Sequence, residues 1–243
     1  MDVSGLKKII FIISSCVIVL SGMGQQDSIH KRWYTSKYVK QSIAPALFIG
    51  SGAFMKFNHT SFNDHNVQES VVQNFPDFHS SADDYLRFVA IPAVYGFDWI
   101  GIKAKTDIVN RSVILLKGEV LMLVTTYGLK HTTHVERPNG SNDHSFPSGH
   151  TAQAFLAAVF IHRELGYKSI WFPIAGYTIA ASVGASRILN NDHWTSDVLV
   201  GAGIGMMSMN VAYWTHRYKW NKNVSFIPSY NGKGLSLYAS IIF

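Results

Sequence analysis

The chemistry open to this chain centres on a few basic and imidazole side chains: Lys130, Arg137 and Arg187, with His150 and His193. Arginine's planar fork suits two phosphate oxygens at once, and three cations in one place suit a phosphoryl group. His193 and Asp197 are four positions apart, one turn if the segment is helical. The carboxylate can then accept the proton of one ring nitrogen, leaving the other free to attack phosphorus. His150 is available to protonate the departing oxygen. Pro147-Ser148-Gly149-His150 precedes an apolar run. Ser148 there can cap a helix, while the Gly149 amide and the positive helix end favour an anion.

Each of these features has an ordinary reading when taken alone. A lysine at a helix end usually complements the dipole, and a His–Asp pair one turn apart is usually a surface pair. Pro-Ser-Gly is a common helix start. Their meeting at one place is what makes a site. His131, His134 and His144 lack the spacing of a zinc motif and read, with Asp143, as the rim of that place. No residue is assigned to a metal, and no cofactor is implied.

The elements that must position these residues are helical. Apolar stretches fall at about 88–102, 112–129, 151–165, 169–186 and 198–215, without the alternation of strands. Short connections make antiparallel neighbours, so the gaps 130–150 and 187–197 open at the same end of an up-down bundle. The expected fold is all-α, an antiparallel bundle of about five to six core helices. The tail 216–243 alternates around Asn231-Gly232 and predicts a short C-terminal β-hairpin. Gly201, Gly203 and Gly205 lie inside a helix and read as a close-contact face. Trp194 and Thr195 read as packing beside His193.

Composition sets the outer bounds. The 243 residues carry 47% apolar and 15% charged side chains, against about 25% charged in an average soluble domain. Stretches 169–186 and 198–215 contain no Asp, Glu, Lys or Arg and reach the length of a membrane span. The formal charge of +6 suits anionic partners but forms no long basic run, which argues against nucleic acid. Residues 1–24, with Lys7, Lys8 and apolar Ile9 to Leu20, read as a signal peptide or an N-terminal anchor. The single cysteine, Cys16, lies there, so redox chemistry is unsupported. Residues 25–87 read as a lead-in and exposed connection, with Pro45, Gly50 and Gly52 interrupting any clean helix at 41–55. The core is 88–215.

Lys130-(six residues)-Arg137-Pro138, then Pro147-Ser148-Gly149-His150, then Ser186-Arg187-(five residues)-His193-(three residues)-Asp197 resembles the three-part signature of the type 2 phosphatidic acid phosphatase family. That superfamily also contains bacterial acid phosphatases and vanadium-dependent haloperoxidases. The resemblance covers about residues 88–215. It implies that His193 is transiently phosphorylated, that Asp197 orients it, and that His150 is the acid and later the base. It implies that Lys130, Arg137, Ser148, Gly149 and Arg187 hold the phosphoryl oxygens without a metal.

The function expected is therefore a phosphatase on a membrane lipid phosphate. Undecaprenyl diphosphate, phosphatidylglycerol phosphate, phosphatidic acid and lipid A phosphates all fit a basic mouth at a membrane surface. A secreted acid phosphatase and a haloperoxidase are the alternatives. Basic residues at Arg163, Lys168, Arg217, Lys219 and Lys222 mark the opposite bundle end, which by the positive-inside tendency points the site to a periplasm-like space. A soluble periplasmic protein is the other placement.

Overall fold

The computed structural model describes residues 36–57 and 63–217, and the backbone of 224–230 and 235–241. Segment 1–24, including Cys16, lies outside the described residues. The helices are α1 Lys37–Phe57, α2 Asp64–Asn74, α3 Ala82–Leu86, α4 Ala90–Trp99, α5 Ile108–Thr133, α6 Gly149–Leu165, α7 Trp171–Leu189 and α8 Thr195–Thr215. Strands β1 Val224–Tyr230 and β2 Leu235–Ile241 pair antiparallel, and Asn231-Gly232 between them falls outside the described residues. Among the described residues the remaining regular elements are all helices.

Helix α6 is the centre. It is apolar on every side and buried without a break from Thr151 to Ile161, as a helix with no polar face must be. Full burial of Leu156, Phe160 and Leu165 contributes about 1.5–3 kcal/mol each. Helix α8 packs against α1, α5 and α6. Its glycines make that possible. A Cβ on Gly201 would stand 2.5 Å from the Ser148 carbonyl oxygen, and one on Gly205 would stand 2.0 Å from that of Ala152. On the other side, a Cβ on Gly203 would meet Ile49 Cγ1 at 2.5 Å.

Two expectations for the N-terminal third are corrected. The 41–55 stretch is not interrupted: α1 runs through Pro45 as one helix, because it packs along α8 and tertiary contact overrides local propensity. The polar stretch 57–86, read as an exposed connection with room for a short helix, holds two, α2 and α3, which bury Asp64, Gln68 and Asp83. Asp64 accepts from Ser196 N at 2.8 Å and from Ser196 Oγ, fixing the start of α8. Gln68 Nε2 donates to Asn191 Oδ1 at 2.6 Å, fixing the end of α7. Most of the stretch is exposed, and these three buried polar side chains are what tie it to the ends of α7 and α8.

Outer faces of α1, α5 and α7 stay apolar and exposed, with Leu47, Leu116, Val124 and Trp171 each more than 60% accessible. Among the described residues, α5 and α8 are long and apolar enough to cross a membrane. Stretch 198–215 is within α8. Stretch 169–186, expected to qualify, overlaps α7 from Trp171 onward, and α7 is not long and apolar enough, whereas α5 is.

Candidate active site

Helix α5 ends where His134 adopts the left-handed conformation, with φ 45°, and Lys130 sits in its last turn. A cation there complements the negative helix end. Lys130 Nζ donates to the carbonyls of His144 at 2.5 Å and Ser145 at 3.4 Å, which ties the helix to the loop 134–148. Within that loop Ser145 N donates to Val135 O at 2.9 Å and Arg137 N to Asn142 O at 3.0 Å. The loop then docks on the segment between α7 and α8. Trp194 Nε1 donates to Glu136 O at 2.8 Å and Asn139 Nδ2 to Asp192 Oδ1 at 3.1 Å. The two gaps do meet.

Ser148 caps α6: its Oγ accepts from Thr151 N at 3.4 Å and shares a hydrogen bond with Thr151 Oγ1 at 2.9 Å. Its own N–H donates to Asp197 O at 3.0 Å, joining the starts of α6 and α8. His193 and Asp197 do not share a helical face as the spacing suggested. Trp194 is the N-cap of α8, so His193 lies in the turn before it. Asp197 is the third residue of the helix, and its Oδ2 accepts from Trp194 N at 3.0 Å. The pair still meets, with His193 Nδ1 3.6 Å from Asp197 Oδ2. Ser145 Oγ bridges them, donating to Asp197 Oδ2 and lying 3.4 Å from His193 Nδ1. With Nδ1 turned to this group, Nε2 is the nitrogen left for chemistry.

The cavity in front of His193 has a volume of about 590 Å³, and Lys130, Arg137, Gly149 and His150 line it with His193. Asp197, Ser148 and Arg187 stand behind the wall. Arg187 Nη1 donates to Asp83 Oδ2 at 2.8 Å, and its Nη2 lies 2.9 Å from Asp192 Oδ2. Asp192 Oδ1 is 3.7 Å from Arg137 Nη1, so one carboxylate spans both guanidinium groups. His150 Nε2 pairs with Asp84 Oδ1 at 2.7 Å. His134 and His144 each pair with Asp143, at 2.8 and 2.7 Å, and His131 and His144 reach the cavity wall.

The electrostatics follow from this placement. Burial pushes the His193 imidazole down to about 4; Asp197 opposes the shift, while Lys130 and Arg137 add to it. The buried imidazole is thus kept neutral. His150 is also held below the ordinary imidazole range, by burial first, with Asp84 acting in the opposite sense. Hydrogen bonding to His150 lowers the Asp84 carboxyl below the usual carboxylate range.

Asp83, Asp84 and His150 are close enough to share a cation. Their oxygens and nitrogen are instead engaged by Arg187, Ser186 and one another. That set is a hydrogen-bond network. Asp83, Asp84, Ser145 and Asp192 were all missed in the sequence. Asp192, adjacent to His193, is the one its position could have flagged. The α3 pair sits in a polar stretch with no periodicity to mark an inward face.

A neutral imidazole facing a basic cavity at the end of a helical bundle defines a class. The sequence model of the PAP2 superfamily matches residues 114–221. The lipid A 1-phosphatase of Porphyromonas gingivalis is 33% identical over 182 residues, 74% of this chain and 40% of that protein. The lipid A 1-phosphatase of Helicobacter pylori is 30% identical over 142 residues, 53% of this chain and 68% of that protein. The crystal structure of Aquifex aeolicus LpxE aligns with 60% of this chain and 93% of its own, at 22% identity and a TM-score of 0.45. The chain belongs to the PAP2 superfamily. It spans only about two fifths of the Porphyromonas gingivalis relative, whose match covers 40% of that protein.

Proposed function

We propose that this protein is a membrane phosphatase that hydrolyses a lipid phosphate through a phosphohistidine on His193. The observation that carries the reading is one cavity that presents neutral His193 beside Lys130, Arg137 and His150. His193 Nε2 attacks phosphorus while Nδ1 is held by Asp197 and Ser145. The Lys130 ammonium and the Arg137 guanidinium on the wall, with the Gly149 amide at the α6 start, stabilise charge on the phosphoryl oxygens. Arg187 and Ser148 complete the cradle, one through Asp192 and the other by fixing the helix start. His150 protonates the departing oxygen, then takes a proton from the water that hydrolyses the phosphohistidine.

The relatives named lipid A 1-phosphatase support a glycolipid phosphate of the lipid A class as the first substrate to try. Exposed apolar faces on α1, α5 and α7 support a bilayer setting. Arg163 and Lys168 lie at the end of α6 away from Ser148, which supports a site facing the periplasm. Detergent-purified protein should release inorganic phosphate from lipid A in preference to a soluble ester. His193→Ala should reduce release by roughly 10³-fold or more. Undiminished release by that variant would sink the phosphohistidine, and preference for the soluble ester would sink the lipid assignment.

A further inference from the structure

Helix α3 is five residues long and polar, yet two of its side chains reach the catalytic wall. Asp83 grips Arg187, and Asp84 Oδ1 stands 2.7 Å from His150 Nε2. Asp84 is itself held: Arg87 Nε donates to its carbonyl at 3.1 Å, closing the short helix. His150 sits in the first turn of α6, whose backbone frame is fixed by the buried Ser148 cap, while Asp84 holds its ring. With Nε2 committed to a carboxylate, Nδ1 is the nitrogen left to serve a substrate in the cavity that His150 lines.

We infer that Asp84 is a positioning residue for the proton-transfer steps, holding His150 as the Nε2–H tautomer so that Nδ1 delivers and receives the proton. The inference rests on the proposed phosphatase chemistry. In the first step the His193 Nε2–phosphorus bond forms as the phosphorus–oxygen ester bond breaks. The Nδ1 proton of the His150 imidazolium passes to the leaving oxygen, and neutral His150 remains with its Nε2–H on Asp84. In the second step Nδ1 takes a proton from water as water oxygen bonds phosphorus and His193 departs. The imidazolium is restored. Asp84 keeps its charge throughout, and no further reactant is needed.

The charged groups around His150 set the sign of the effect. Asp84 and Asp83 on α3 favour its imidazolium; Arg87, just past α3, and Arg187 on α7 disfavour it. Lys130, Arg137 and His193 face it across the cavity. Asp84 is the only carboxylate among these hydrogen-bonded to the ring, so removing its charge should lower the basicity of His150. The acid form would then be lost at lower pH.

The test is kcat/KM of the full chain in detergent on two esters that differ in their need for an acid, octyl phosphate and 4-nitrophenyl phosphate. An alkoxide must be protonated as it leaves, whereas nitrophenolate leaves without help. Asp84→Asn should lower kcat/KM on octyl phosphate by about 10- to 100-fold and on the nitrophenyl ester by no more than about threefold. Its alkaline limb on octyl phosphate should move to lower pH, and Asp84→Glu should restore most of the loss. An equal loss on both esters, or an alkaline limb that stays in place, overturns the inference while leaving the phosphatase reading intact. Absence of His193-dependent phosphate release by the unmodified chain removes both.

Discussion

The carboxylate of Asp83 meets Arg187 Nη1 at 2.8 Å although 104 positions separate them in the chain. Both side chains are withdrawn from solvent, Asp83 almost completely. A residue from a five-residue helix thus anchors a cation that stands behind the cavity wall. Asp192 takes the other face of the same guanidinium, which leaves it fixed in a plane beside Arg137.

Removing Asp83 leaves buried Arg187 with Asp192 as its remaining carboxylate partner, so the loss should fall short of the about 3–5 kcal/mol typical of a buried charge left unpaired. Asp83→Ala should still lower the thermal midpoint in detergent, and phosphate release should fall because Arg187 keeps only one of its two carboxylate anchors. Asp83→Asn retains an acceptor for Ser186 and Arg187 and should lose less. Thermal unfolding followed by circular dichroism measures both. Equal midpoints for Asp83→Ala and the unmodified chain would show that the contact is unimportant.

Activity should follow the two histidines. His193 is neutral above about 4, so kcat/KM should hold down to the region of pH 5 and fall below it. The alkaline limb belongs to His150 and should lie below the ordinary imidazole range. Stability carries the same signature. An imidazole depressed to about 4 in the folded state takes up a proton first in the unfolded chain. Its contribution is therefore complete above the unfolded value near 6.5 and is lost as pH falls from there toward 4. Denaturant midpoints should drop across that window, and His193→Gln should flatten the drop.

Gly205 tests the packing that brings the helices together. A Cβ there would lie 2.0 Å from the Ala152 carbonyl oxygen, which is backbone and cannot swing away. Gly205→Ala must push α8 from α6, and such overpacking costs typically about 1–3 kcal/mol. A midpoint lowered by several degrees is expected. Gly128→Ala, where nothing stands within 4 Å, should leave the midpoint unchanged or raise it.

The sequence by itself determined the helical class and pointed to a set of residues that the fold brings to one place, five of them on the cavity lining. Apolar periodicity names α4 through α8 because burial of those faces is a local property of the pattern. Spacing within the three motif blocks is also local, so Lys130, Arg137, Ser148, Gly149, His150, Arg187, His193 and Asp197 could be picked out together. Only the tertiary structure decided how they are held. His193 stands in the turn before α8, since Trp194 caps that helix and Asp197 reaches back to the cap. Asp83, Asp84 and Asp192 join the site because packing brings their carboxylates to Arg187, Arg137 and His150. α1 is continuous through Pro45 because α8 presents Gly203 to it. Such contacts depend on which surfaces meet after the chain has turned several times, and a carboxylate's neighbours across 104 positions leave no trace in its own surroundings.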